Sequence, residues 1–112
     1  MSWRHIITFN LNYAHPQQLS DARDLIKRDF DQRYDLIPIT AGSRVAGFTM
    51  YSKDGDAISD QLWVEGIVEK LHSLHPDLWF IVVGAWEFGG DHTTWVWRAS
   101  RDGIETLKGD LT

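Results

Sequence analysis

Histidines and carboxylates are the side chains of this sequence best able to do chemistry, and one group of them follows the second predicted helix. His72 and His75 are three residues apart, and Asp77 comes just after them. Such spacing can place two imidazoles on one metal ion. Pro76 breaks the helix at this point, however, and cations are favoured at helix C-termini in any case. We therefore favour a capping role and predict no metal site.

A second group lies around the Gly89-Gly90 turn, where Glu87 and His92 come close on either likely loop length. A Glu–His pair can do acid–base work, and together with Arg98 it would form a small enzyme site. A solvated cross-strand pair is the interpretation we favour. The sequence contains neither a phosphate-binding loop nor a Gly-x-Ser-x-Gly elbow. We expect no enzyme activity and no cofactor.

The six tryptophans are the least ordinary feature of the composition. Trp3 and Trp63 suit the core, Trp95 and Trp97 share one face of a predicted strand, and Trp86 lies on the strand before it. Two helices can cover only one face of a sheet, so we expect some of these indoles on the uncovered face. There, Trp86, Trp95 and Trp97 would anchor a protein partner. Alternatively, a curled sheet or a homodimer buries them.

Acidic residues outnumber basic ones, 16 to 11, for a net charge of −5. Residues 53–77 hold six of the acids against two lysines, a net charge of −4, so the acidity is concentrated around the second helix. This charge disfavours direct binding of nucleic acid through its phosphates. It favours a basic protein, because opposite charges speed association. The predicted charged rim consists of Asp54, Asp56, Asp60, Glu65 and Glu69.

Hydrophobic periodicity predicts one α+β domain over residues 1–112, with the order β-α-β-β-α-β-β-β. Residues 3–11 alternate as a strand with one buried face. Residues 36–40 include Pro38, which favours an edge strand, and residues 78–86 are apolar on both alternations, which favours a central strand. We expect a two-layer sandwich with two helices on one face of a largely antiparallel sheet, in a ferredoxin-like variant with an added C-terminal hairpin.

The sequence also gives an expectation for the cell compartment in which the protein is found. There is no cysteine, hence no disulfide, and no apolar run reaches the length of a membrane span. The N-terminus goes straight into a strand pattern and lacks the features of a secretory signal. We predict a cytoplasmic protein that does not bind membranes.

The second helix is followed by a hairpin whose strand and turn residues are 78–84, Phe88, Gly89, Thr93 and 107–109. This half of the chain resembles the helix-then-hairpin half of cytoplasmic dynein light chains. The resemblance implies a dimeric hub that binds peptides by strand addition. The N-terminal β-α-β-β part has no counterpart in that family, so we do not assign the chain to it.

Small size, focused acidity, many tryptophans and the lack of a catalytic motif together favour a protein-binding module. We expect an inhibitor of the immunity or anti-defence type, which would occlude a basic partner such as a nuclease or a nucleic-acid-binding protein. The alternatives are a small enzyme at the Glu87–His92 hairpin tip and a homodimeric peptide-binding hub. An exposed edge strand at residues 36–40 would support the hub, although Pro38 opposes pairing along that edge.

Overall fold

A computed structural model describes residues 3–29, 36–52, 61–88 and 91–111. The strands are β1 (Trp3–Asn10), β2 (Ile37–Ala41), β3 (Arg44–Ser52), β4 (Phe80–Phe88), β5 (Asp91–Ser100) and β6 (Gly103–Leu111), and the helices are α1 (Pro16–Asp29) and α2 (Gln61–Leu74). The predicted order of helices and strands is confirmed.

The strands form one sheet in the order β2-β3-β1-β4-β5-β6, and every neighbouring pair is antiparallel. The segment β2-β3-β1-β4 has the strand order of a ferredoxin-like core, and β5 and β6 extend it as the added hairpin. Pro38 lies on the edge strand β2, where its missing N–H costs the fewest ladder hydrogen bonds. The strand predicted to be central, β4, lies between β1 and β5. The predicted α+β fold class is therefore confirmed.

The hydrophobic core lies between the two helices and one face of the sheet. Strand alternation turns His5, Ile7 and Phe9 of β1 toward the helices, and all three are buried. Helix α2 faces them with an apolar stripe at helical spacing, formed by Val64, Ile67, Val68 and Leu71. Burying each such side chain contributes roughly 1.5–3 kcal/mol to the free energy of unfolding. We call this side of the sheet the covered face and the opposite side, over which no described helix packs, the uncovered face.

Gly47 allows β3 to lie close to β1. Its φ is +153°, and a Cβ at this position would lie 2.1 Å from the backbone oxygen of Phe9. Because that neighbour is main chain, no rotamer change could relieve the clash, so any side chain here would push the two strands apart. Next to it, the pairing of β2 with β3 shifts register between Ile39 and Thr40. Glycine and the register shift together set how the β2 edge joins the sheet.

His5 is a buried polar side chain on the covered face, and burial lowers its pKa below the ordinary value of 6.5. Unfolded His5 takes up a proton below about pH 6.5, whereas folded His5 resists protonation, so the free energy of unfolding should fall as the pH drops below 6.5. We expect His5→Leu to remove part of this fall. Urea unfolding of both proteins at pH 7.5, 6.0 and 5.0 measures it. Identical pH dependence in the two proteins would show that His5 does not contribute.

Candidate functional site

Three predicted anchor tryptophans lie on the covered face, not on the uncovered one. Trp97 is fully buried, Trp86 is 8% exposed, and Trp95 is half-buried against the core. The strand register explains this placement. Trp97 lies directly opposite Val82 and shares its face. These three indoles therefore do not lie on the uncovered face, and Trp86 and Trp97 offer almost no accessible surface to a partner. Their role as partner anchors stays a prediction.

These three indoles, which we call the tryptophan cluster, fill the core beneath the helices. Trp95 stacks on Trp97 with centroids 5.9 Å apart, and Trp86 meets Trp97 edge-on at 6.3 Å. Gly84 leaves room for the cluster, since a Cβ there would lie 2.2 Å from the Trp86 ring. Lys108 closes the outer end, with its Nζ 5.5 Å from the centre of the Trp95 ring. The large rings thus serve core packing.

Only two of the five residues of the predicted charged rim are among the described residues. Asp54, Asp56 and Asp60 lie outside the described residues. Glu65 is half-buried and Glu69 is exposed, and both belong to α2, which packs on the covered face. These two carboxylates are therefore on the opposite side of the sheet from the uncovered face. A role for the five acids in binding a partner stays a prediction.

The uncovered face carries one continuous row of side chains across all six strands. The register places six residues directly opposite one another in sequence across the sheet. We call them the central row: Ile37, Thr49, Thr8, Val83, Val96 and Leu107. All but the last are β-branched, and the Oγ1 atoms of Thr8 and Thr49 are 3.5 Å apart. The row is a strip of methyl and hydroxyl groups that crosses all six strands.

Large apolar side chains on this face are open to solvent. Ile37 is 44% exposed and Leu107 is 56% exposed, at the two ends of the central row. Ile6, on β1 beside the row, is 53% exposed. Contiguous exposed apolar surface marks interaction sites more often than scattered apolar residues do. The uncovered face is therefore the candidate functional site.

An aromatic pair lies at one end of the uncovered face, beside the end of β1 and the start of β4. Trp79 lines a cavity of about 760 Å³ together with Arg98 and Glu105 of that face, and its ring meets Tyr13 edge-on at 5.3 Å. Trp79 and Trp86 are seven residues apart and so point to opposite faces of an extended strand. That parity separates Trp79 from Trp86, but it does not say which of the two faces is open to solvent, so it does not by itself single out Trp79. Trp79 was not included among the predicted partner-binding residues.

Charged side chains on the uncovered face lie in cross-strand pairs. Arg98 donates a hydrogen bond to Glu105, directly opposite it on β6. Glu87 lies directly opposite His92, with Oε2 and Nδ1 3.9 Å apart, which is too long for a hydrogen bond. Both pairs are well exposed, so each is worth at most about 1 kcal/mol. They leave the described part of this face with little charge of either sign.

The hairpin-tip enzyme needs Glu87, His92 and Arg98 in one cleft, and the structure does not bring them together. Arg98 is six residues from His92 along β5, about 20 Å for an extended strand. Its guanidinium is also occupied by Glu105. Glu87 and His92 alone form an open surface pair, which is the arrangement favoured from the sequence.

His72 and His75 point to different partners. The Nε2 of His72 is 2.8 Å from the backbone oxygen of Ser100, and the Nε2 of His75 is 2.9 Å from Oδ2 of Asp21. The hydrogen bond from His75 lowers the pKa of Asp21. The two imidazoles thus connect the end of α2 to β5 and to α1. Within the described ranges, no three His, Cys, Asp or Glu side chains are grouped to hold a metal ion.

Neither described helix is long and apolar enough to cross a membrane. A scan against protein-family models, a search of curated proteins and a search of solved structures each find no match to this chain.

Proposed function

We propose that this chain is a protein-binding module that docks a basic protein onto its uncovered face. It would act by occlusion, as an inhibitor of the immunity or anti-defence type does. The observation that carries the proposal is the central row, an uninterrupted strip of β-branched and aliphatic side chains over which no described helix packs.

The shape and size of the face suit a protein partner. Six strands spaced about 4.8 Å apart and about eight residues long present a projected area on the order of 700 Å². This is close to the roughly 800 Å² that each partner contributes to a standard protein interface. The half-exposed Trp79, supported by Tyr13, supplies an aromatic anchor at the end of the face where β4 begins. A largely apolar centre with an aromatic side chain near its edge resembles the anatomy of such interfaces.

Charge favours a basic partner. The described charges on the uncovered face are paired, so the selectivity would come from the field of the whole chain. The net charge of −5, with −4 concentrated in residues 53–77, would attract a basic protein at long range. Steering of this kind raises the association rate and weakens as salt screens it, whereas apolar contacts at the central row would set the dissociation rate.

Affinity capture with the purified chain at low and high salt, followed by binding kinetics with each captured protein after its purification, tests the proposal. We expect a basic partner that binds in a 1:1 ratio, with an association rate that falls as salt rises. Capture of no such protein, or of an acidic one with no salt dependence, would contradict the proposal. So would a wild-type chain that is a stable dimer through its own uncovered face, because that face would then be occupied.

A further inference from the structure

A groove on the covered side, the face opposite the central row, lies between α1 and the β2–β3 edge of the sheet. Its volume is about 600 Å³, within the usual range for small-molecule sites. The apolar part of its lining includes Leu19 of α1, Leu36 just before β2, and Val45 and Phe48 of β3. Among the described residues, α1 packs against β3 and not against the edge strand β2, so no described helix covers this apolar lining.

Three cations border the groove, and no acidic residue is among the described residues that line it. Arg23 and Lys27 are one turn apart on α1, and Arg44 begins β3. The guanidinium of Arg44 is held by two hydrogen bonds to Asn12, at 2.7 Å to its backbone oxygen and 2.8 Å to Oδ1. In a chain with net charge −5, the positive charge of the described lining is a local departure from the overall charge.

Arg23 and Lys27 have no strong ion pair with a described residue. Arg23 approaches Asp24 only at 3.7 Å, and both side chains are about half exposed or more, so this ion pair is weak. Lys27 forms no ion pair with any residue in the described ranges. An anion placed over the groove could therefore accept charge-assisted hydrogen bonds without displacing a strong internal partner.

We propose that this groove binds a small amphipathic anion, a carboxylate on a hydrocarbon body. The hydrocarbon part would lie on Leu19, Leu36 and Val45, out of water. The carboxylate would be bound by Arg23 and Lys27, with Arg44 at the groove's other side. This site goes beyond the protein-binding function, since it uses residues of the covered side only.

Three ligands built on a ten-carbon chain test the proposal: decanoate, decanol and decyltrimethylammonium. Calorimetry gives the affinity of each for the full chain, and amide and methyl NMR shifts locate it. We expect decanoate to bind most tightly, with its largest shifts at Leu36 and Val45. Equal affinity for all three head groups, no binding of decanoate, or shifts confined to the uncovered face would overturn the proposal.

Two variants and a control separate the roles of head group and tail. The double variant R23E/K27E should bind decanoate at least roughly tenfold more weakly, because two charge-assisted contacts become repulsive. Its affinity for decanol should stay within about twofold of that of the wild-type chain. Arg101→Glu, an exposed cation outside the groove, should leave decanoate binding unchanged. Ser20→Phe, which fills the groove from α1, should weaken the binding of all three ligands. Circular dichroism verifies that each variant folds. Equal loss in R23E/K27E and R101E would also overturn the proposal.

Discussion

Replacing Trp97 by alanine is expected to destabilise the fold by about 3–5 kcal/mol, the range for removing a large aromatic side chain from a core. Trp97 is fully buried and contacts both other rings of the tryptophan cluster, so its loss leaves a cavity between α2 and β5. Small domains have only about 5–15 kcal/mol of stability in all. Urea unfolding followed by circular dichroism measures the change.

Two further variants sharpen this prediction. Trp79→Ala, which truncates an exposed indole, should cost about 1 kcal/mol or less. Trp97→Phe should cost less than Trp97→Ala, because it keeps a ring and removes an Nε1 that has no hydrogen-bond partner among the described residues. If Trp97→Ala were as stable as Trp79→Ala, the core role of Trp97 would be wrong, and an anchor role in partner binding would again be open.

Replacing Val83 by lysine is expected to weaken partner binding by roughly a hundredfold or more, the effect of disrupting an interface hot spot. Val83 lies in the middle of the central row, between Thr8 and Val96. A lysine there would place a charge against the apolar centre of the interface and repel a basic partner. Because the uncovered face is open to solvent, the lysine can reach water in the free protein. The free energy of unfolding should fall by about 1 kcal/mol or less.

The matched control for this substitution is Leu62→Lys. Leu62 is 67% exposed on α2, on the other side of the sheet, so the same change of charge occurs away from the proposed interface. Surface plasmon resonance with the purified partner compares the two variants. Similar affinities for V83K and L62K would show that the uncovered face does not carry the interaction.

Much of the fold could be predicted from the sequence because it depends on local patterns. The alternation of His5, Ile7 and Phe9 predicts one buried face of β1, and that face is buried. Pro38 predicts an edge strand, since an edge is where a missing donor is tolerated, and β2 is an edge. These inferences need only the chemistry of each segment and its neighbours.

The candidate site could not be predicted in the same way, because it depends on which face the helices cover. Alternation shows that Trp95 and Trp97 share a face, but it does not say whether that face meets α2 or solvent. The register of β4 with β5 decides this by placing Trp97 with buried Val82. The central row likewise combines six strands, and the groove combines α1 with β2 and β3, so both need the tertiary arrangement.

Methyl cross-saturation NMR on the complex tests the central claim most directly. The chain would carry labelled Val, Ile and Leu methyl groups, and the unlabelled purified partner would be saturated. We expect loss of intensity at Val83, Val96 and Leu107 of the central row, and none at Val64 and Val68, which are on the buried side of α2. Loss of intensity at Leu62 with none at Val83 would contradict it, because the partner would then lie on the helices and not on the uncovered face.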